Sequence, residues 1–462
     1  MWTKNCLEAA LQHKILDKQY NKITIDSRKI NPGDVFIGIK GPNFNGSNFA
    51  ADTIKNGASL AIVDHLPDNS DTNQLLVVED TYRDGLMKLA TYKRENHKAI
   101  YIGVTGSVGK TTTKDMLKLV LSDAYVSQGN LNNNYGLPLS LANMDDSQFC
   151  IFELGMSTLG EISFLSTTLR PNIAIITGIA PAHLANFSWL DDIAIAKSEI
   201  VNGLDNDGFL VVNCDSPSLD IILKIAAGNK VIGYSMTDNL QAQVCLIRSE
   251  VVVIDGLLFT SVCAKYTTLD GNNAAINYKI GGIGNDLVSN SLGVLSVLIA
   301  CNLDANIINK LEDFSSVSGR GQIYHIELFD IQLIDESYNS NPTSLSAALH
   351  RVNLYSTFTK YKRKVVILGD MLELGHDEMQ LHREMYHDIK KNDIDAVICV
   401  GPRMKALYDI VNTQLKVAYF ENSSDAVNNI KNLLKSGDIV MVKGSNGMKM
   451  SIICNAIKNM HK

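Results

Sequence analysis

No two of the eight cysteines form a C-x-x-C pair, and they are scattered along the chain. That argues against a zinc site or a disulfide framework and for reduced, mostly buried thiols. No basic run stands out. With 42 Lys and Arg against 49 Asp and Glu the formal charge is −7, so no nucleic-acid partner is expected. The longest apolar run, residues 292–301, is too short to span a bilayer. Residues 1–16 interleave Lys4, Glu8, His13 and Lys14 with apolar side chains, so no signal-peptide core is expected there. Low-complexity tracts and internal repeats are also missing. These absences leave a mildly acidic, soluble, cytoplasmic protein as the expectation. Its 462 residues exceed one ordinary core, so two to four domains are expected.

What is present is a phosphate-binding turn, Gly103-Val-Thr-Gly-Ser-Val-Gly-Lys-Thr-Thr112. An apolar run, residues 99–104, reads as a buried strand before it. Met116, Leu117, Val120 and Leu121 follow at helical spacing. The glycines therefore sit between a strand and a helix, the setting that a nucleotide loop needs. Gly106 and Gly109 let the backbone turn its N–H groups, those of Ser107 and Val108 among them, toward one point. Lys110 supplies a point charge for phosphate, and the hydroxyl of Thr111, beside Thr112, can ligate Mg²⁺. One spacing departs from the usual pattern: Val104 stands where the first glycine belongs, and the glycine is Gly103.

Before the loop, residues 1–97 read as a small α/β domain. A strand over 23–26 runs into Asp26-Ser-Arg28, whose Ser27 and Arg28 are either a diphosphate or sugar contact or a solvated turn. Strands are expected over 34–39 and 58–63, with a helix over 49–56 between them. After the loop, Gly129-Asn-Leu-Asn-Asn-Asn-Tyr-Gly136 is too polar to pack. Its Asn132 and Asn133 suit a sugar-like ligand or an exposed loop. A strand over 149–154 carries Glu153 to its carboxyl end, where Mg²⁺ in a neighbouring loop needs a ligand. Another, over 172–179, leads to His183, which is either a metal ligand or structural. Lys197 lies among apolar neighbours in a helical stretch; its plain reading is an ion pair with Asp192 or Glu199.

Residues 231–269 read as antiparallel strands, and Asn290 as the opening of a helix to about 300. Gly282-Ile-Gly284 lacks the third glycine of a dinucleotide fingerprint and is rejected as one. From 318 onward, strands over 331–335, 364–368, 396–400 and 438–442 alternate with helices, which calls for a parallel or mixed sheet. Polar groups gather just past those strands, at 335–341, 369–373 and 443–445, and Asn341-Pro342 is a good helix start.

The order of Gly106-Ser-Val-Gly-Lys-Thr111, Asn132-Asn133, Glu153-Leu-Gly155, His183, Ala196-Lys197 and Asn290 resembles the Mur ligases, ATP-dependent amide-forming enzymes of peptidoglycan precursor synthesis. The Gly103 spacing is similar to that family's own loop, and the resemblance covers nearly the whole chain. Gly129-Asn-Leu-Asn-Asn133, Asp335-Glu-Ser-Tyr-Asn-Ser-Asn-Pro342 and Leu368-Gly-Asp-Met-Leu-Glu-Leu-Gly375 are similar to the branch that adds D-alanyl-D-alanine to UDP-N-acetylmuramoyl-tripeptide. The Asp-Asn-Pro-Arg run of diaminopimelate-adding relatives is missing. Met156-Ser departs from the family's usual Asn-His, and Asn446 from its usual arginine.

The resemblance implies an α/β chain of three domains. They are a small α/β N-terminal domain (1–97) for the UDP end of the substrate, a central P-loop ATPase-like domain with a mostly parallel sheet (98–317) for ATP, and a C-terminal Rossmann-like domain (318–462) that closes over both and takes the incoming dipeptide. It implies Ser27 and Arg28 as first-domain substrate contacts and Tyr338, Asn339 and Asn341 as further ones. Asn290, Arg320 and Asp335 become nucleotide contacts. Thr111, Glu153 and His183 become ligands of two Mg²⁺ ions, with Lys197 carbamylated beside them. A monomer without membrane segments is expected. Two rivals remain: a sister ligase or folate polyglutamate synthetase adding another amino acid, and a nucleotide-gated binding protein.

Overall fold

The computed structural model describes residues 2–67, 72–181, 187 and 189–460. Three sheets divide them. The first is small and wholly parallel, with β1 (Ile23–Thr24), β2 (Val35–Ile37), β3 (Leu60–Val63) and β4 (Leu75–Val77) side by side in that order. β2 and β3 are buried along their whole length, which explains why both read as unbroken apolar runs. Asp26 ends β1 by accepting the Arg28 N–H and starting a 3₁₀ turn over Ser27–Lys29.

The second sheet has nine strands: β5 (Ile100–Thr105), β6 (Ala124–Val126), β7 (Phe149–Glu153), β8 (Ile173–Ile176), β9 (Phe209–Asn213), β10 (Lys230–Ser235), β11 (Val244–Ile254), β12 (Leu257–Thr267) and β13 (Asn273–Gly281). Their spatial order is β13-β12-β11-β10-β9-β8-β5-β7-β6. β5 thus lies between β8 and β7, parallel to both, and the crevice beyond its carboxyl end is where open α/β sheets bind ligands. The expectation of antiparallel strands from 231 onward fails for β10, which is parallel to β9 and to β11. The helix Leu219–Ile225 intervenes between β9 and β10, so the chain crosses over and returns in the same direction. The antiparallel pairing belongs to β11, β12 and β13.

Asn290 does not open its helix. The helix runs Asn285–Ala300, preceded by Gly284 and carrying Asp286 in its first turn. That carboxylate suits the positive helix end, so the helix starts more than a turn before the better capping residue. Residues 292–300 of the apolar run form its buried second half, enclosed on one face of the second sheet.

The third sheet contains β14 (Gln322–Ile326), β15 (Ile331–Glu336), β16 (Arg363–Gly369), β17 (Ala396–Val400), β18 (Lys416–Phe420) and β19 (Asp438–Lys443), ordered β14-β15-β19-β16-β17-β18. Only β14 pairs antiparallel. β14 and β18 escaped the sequence reading because they are half-exposed edges without a clear period. Each large sheet has an apolar cluster on both faces, as parallel sheets require. Asn341 caps the helix Pro342–Phe358 with proline at its start, as its sequence suggests. No helix among the described residues is long and apolar enough to cross a membrane.

Two junctions join the three units. The Asn143 amide brackets Ile23, accepting its N–H at 2.8 Å and donating to its carbonyl at 2.9 Å. Among the described residues, the polar contacts between the second and third sheets' units converge on Arg351. Its guanidinium donates to the Ile283 carbonyl at 3.2 Å and to Asp286 at 2.5 Å.

Candidate functional site

The second and third units face each other across a cavity of about 750 Å³. One wall is the turn after β5. Gly106 (φ +148°) and Gly109 (φ +84°) adopt backbone conformations that side chains resist. Neither has room for one: a Cβ at Gly106 would lie 2.1 Å from Thr177 Oγ1, and at Gly109 2.5 Å from Asn290 Oδ1. The end of β8 pins the loop, since Ser107 N–H donates to the Gly178 carbonyl (2.8 Å) and the Thr177 hydroxyl to that of Val108 (2.5 Å). Lys110 begins the helix Lys110–Val120 and folds its ammonium back onto the Gly106 carbonyl at 2.5 Å. The Ser107 hydroxyl is buried without a partner. Amides, an orphan hydroxyl and a lysine around one helix start fit a phosphate chain.

Glu153 ends β7 beside the loop and is 4% exposed. The Thr111 hydroxyl donates to one carboxylate oxygen at 2.7 Å, and the Asn132 amide to the other at 3.0 Å. Burial alone would raise its pKa, but Lys110, the Thr111 hydroxyl, Lys114 and Arg320 outweigh it and hold the carboxyl below its ordinary value. Lys114, buried at 3.9 Å from Glu153, gave no signal in the sequence beyond one lysine in a helix. Thr111 and Glu153 are oxygen donors of the kind that Mg²⁺ takes.

Lys197, on the helix Leu190–Ser198, is 2% exposed and lines the same wall. The expected ion pair is not formed. Asp192 accepts the Trp189 N–H instead, and Glu199 accepts those of Gly160 and Ser163. Among the described residues Lys197 has neither hydrogen bond nor ion pair. Burial, reinforced by the neighbouring Lys110 and opposed by Glu153, drives its pKa well below that of a free lysine. His183 lies outside the described residues, and no group of three or more metal-binding side chains occurs among those described.

The third unit supplies the opposite wall from Arg320 and the segment after β15. Arg320 stacks on the Tyr338 ring at 4.0 Å. Tyr338, Asn339 and Asn341 all reach the cavity, and Asn290 lines it from the second unit. Asp335 does not reach it. Successive strand residues face opposite ways, and Asp335 points back to Lys458 (2.9 Å) and the Ser337 hydroxyl (2.6 Å). Its neighbour Glu336 faces the cavity, beside Lys443 of β19, its partner in the strand register. Sequence reading missed Glu336 and Arg351. The alternation of β15 was the available signal for the first.

Ser27 and Arg28 stand apart from this cavity. Arg28 is exposed and forks onto Asp26 at 2.8 and 3.0 Å, which lowers the Asp26 pKa to about 2. Asn132 and Asn133 line the cavity: Asn132 orients Glu153, and Asn133 accepts the Gly136 N–H at 2.9 Å where the helix Gly136–Ala142 begins. The run 369–373 stands behind the wall rather than in it. Asp370 is fully buried and holds the Met404 N–H at 2.8 Å, and Leu372 N–H donates to Ser445 at 2.8 Å.

Family comparisons agree along the chain. Residues 19–100 match the Mur ligase family catalytic domain, 104–298 the Mur ligase middle domain, and 319–446 the Mur ligase glutamate ligase domain. The chain is 34% identical to the UDP-N-acetylmuramoyl-tripeptide–D-alanyl-D-alanine ligase of Rickettsia prowazekii, over 98% of this chain and 99% of that protein. It is 30% identical to the Escherichia coli protein of that name, over 96% and 94%. A crystal structure of MurF from Acinetobacter baumannii superposes with a TM-score of 0.84 at 28% identity, covering 99% of this chain and 98% of that one. With three domains matched in order, and these relatives matched over nearly their whole length, the chain belongs to the Mur ligase family, on the branch of the UDP-N-acetylmuramoyl-tripeptide–D-alanyl-D-alanine ligases.

Proposed function

We propose that the protein joins D-alanyl-D-alanine to UDP-N-acetylmuramoyl-tripeptide at the expense of ATP, releasing ADP and phosphate, in cytoplasmic peptidoglycan precursor synthesis. The observation that carries this reading is the cluster on one wall: a phosphate loop, a carboxylate 2.7 Å from the loop threonine, and a buried lysine without a partner among the described residues. Relatives aligned over nearly the whole chain, all named for this reaction, supply the substrates.

A carboxylate does not acylate an amine in water, because oxide is too poor a leaving group. Transfer of the γ-phosphoryl group to the tripeptide's terminal carboxylate gives an acyl phosphate. The dipeptide amine then attacks, and the tetrahedral intermediate loses phosphate to leave the amide. Both steps concentrate negative charge, so the site needs N–H donors and cations. Loop amides, the Ser107 hydroxyl and Lys110 hold the phosphates. Thr111 and Glu153 would hold one Mg²⁺; His183 and Lys197 would serve a second. Mg²⁺ supplies the positive charge that lets phosphate and carboxylate oxygens approach.

Lys197 fits that role only after a change of sign, since an ammonium repels a cation. Its depressed pKa supplies the neutral amine, which would add to CO₂ and release a proton to leave an N6-carboxylate anion. Asn290 and Arg320 contact the nucleotide. The nucleotide contact expected of Asp335 passes to Glu336, its neighbour on the cavity side. Ser27 and Arg28 take the uridine diphosphate end in the first domain. The chain acts as a monomer.

The test is product analysis. Purified protein with ATP, Mg²⁺ and UDP-N-acetylmuramoyl-tripeptide is offered D-alanyl-D-alanine, diaminopimelate, lysine or glutamate. A mass gain matching the dipeptide alone is expected. A gain with another amino acid instead would move the chain to a sister activity.

A further inference from the structure

The phosphate wall carries one carboxylate whose charge is left open. β7 ends at Glu153, and two residues later the Gly155 N–H donates to the Asn132 carbonyl at 2.8 Å. The chain from Gly155 to Ser157 therefore borders the asparagine loop, and both segments line the cavity. Gly160 (φ +85°) turns it into the helix Glu161–Leu169. Glu161 is half-buried and lines the cavity as well. Its Oε2 accepts the Ser157 N–H at 2.6 Å and the Thr158 N–H at 3.4 Å. Its Oε1 accepts no hydrogen bond among the described residues, and neither oxygen has an ion pair there.

The other described carboxylates of the cavity are matched. Glu153 has Lys114 at 3.9 Å and the field of Lys110. Asp286 and Glu336 share Arg351. Asp215 spends one oxygen on the Ser235 hydroxyl (2.6 Å) and the other on the Met236 N–H (2.7 Å). Glu161 alone combines a spare oxygen with the lack of a cation. It does so on a wall that receives a triphosphate and a peptide carboxylate, where a bare negative charge repels both. A ligand that brings its own cation removes that conflict.

The reaction offers two ammonium groups. The amine of the incoming dipeptide must be neutral to attack, so a carboxylate that kept it protonated would oppose the step. The second is an amine on the side chain of the tripeptide's third residue. That side chain leaves the same Cα as the reacting carboxylate, and a lysine-length chain reaches about 6 Å from it.

We propose that Glu161 binds the side-chain ammonium of the tripeptide's third residue and so selects acceptors that end in a diamino acid. The assignment rests on the ligase reading above and adds to it the basis on which the acceptor is chosen. An ammonium on a carboxylate oxygen is a charge-assisted hydrogen bond, which a neutral side chain cannot replace.

The experiment uses UDP-N-acetylmuramoyl-tripeptides ending in diaminopimelate or in lysine, each with the side-chain amine free or acetylated. ATP, Mg²⁺ and D-alanyl-D-alanine are saturating. With the third residue that the unaltered protein uses better, KM should be about tenfold lower for the free amine than for the acetylated form. In Glu161→Gln the two KM values should lie within about threefold of each other. That variant removes the charge and keeps the turn: a glutamine carbonyl still accepts from Ser157, and Glu199 holds the Gly160 and Ser163 N–H groups independently, at 2.8 and 3.2 Å. Equal KM values for free and acetylated forms in the unaltered protein overturn the assignment, as does a Glu161→Gln protein that keeps the full preference. A variant that keeps the preference but shows a raised KM for D-alanyl-D-alanine overturns it in favour of the dipeptide's own amine. No ADP release with any of the four acceptors in the unaltered protein would instead overturn the ligase reading, and the assignment with it.

Discussion

The two walls of the cavity handle charge in opposite ways. On the second-sheet wall, Lys197 is buried without a partner among the described residues, and Lys110 donates only to its own loop's carbonyl there. On the third-sheet wall, Arg351 is also buried, yet it is saturated: Asp286, Glu336 and the Ile283 carbonyl surround it. Burying an unpaired charge costs folding free energy, whereas a fully bonded one costs much less. The first wall therefore carries charges whose partners arrive with the ligands. The second wall's central arginine is self-contained and fixes where the third unit sits. One wall is built for chemistry at the expense of stability, the other for position.

Substitutions can break that contrast, and the largest effect belongs to the open wall. Lys197→Ala should lower turnover on the order of a thousandfold, roughly 4 kcal/mol of barrier. Its unfolding midpoint should hold or rise, because an uncompensated group is removed. A small added carboxylate such as acetate should restore part of the rate. On the closed wall the balance reverses. Arg351→Met leaves Asp286 without its cation and Glu336 with Lys443 alone, and should cost about 3 kcal/mol of stability in urea unfolding. Solution scattering of that variant should show a wider spread between the second and third units.

Gly109→Ala tests the cradle itself. Its left-handed backbone penalises a side chain by about 1–2 kcal/mol, and Asn290 leaves the new methyl no room. Titration with ADP should show at least tenfold weaker binding. The smallest effect is expected at Asp26, outside the cavity. Its pKa is lowered to about 2, first by its hydrogen bond with Arg28. A depressed carboxylate pKa adds stability above the ordinary range near pH 4, and that stability is lost as pH falls toward 2. The pair is exposed, so Asp26→Asn should flatten the acid limb of the stability profile only slightly.

How much of this was legible in the sequence varies with the kind of signal. The loop after β5 could be read because its glycines, lysine and threonine act through backbone geometry at fixed spacing. Glu153 could be read because a strand end beside that loop is a special place. Asp335 was misread by one position: strand alternation puts its carboxylate on the Lys458 side and Glu336 on the cavity side. Arg351 could not have been found, since it is one arginine inside a long helix and its partners lie 15 and 65 residues away in sequence. The missing ion pair of Lys197 was equally hidden, because Asp192 and Glu199 are near it in sequence but accept backbone N–H groups instead. The parallel course of β10 needed the crossover helix before it to be recognised as such.

The central claim is that the open charges of one wall serve a coupling reaction between two substrates. Its most direct test is ADP release by the purified protein with ATP and Mg²⁺, adding UDP-N-acetylmuramoyl-tripeptide and D-alanyl-D-alanine singly and together. Release in step with amide formation only when both are present is the predicted result. Steady release that ignores the dipeptide, or none with the full set, would contradict it.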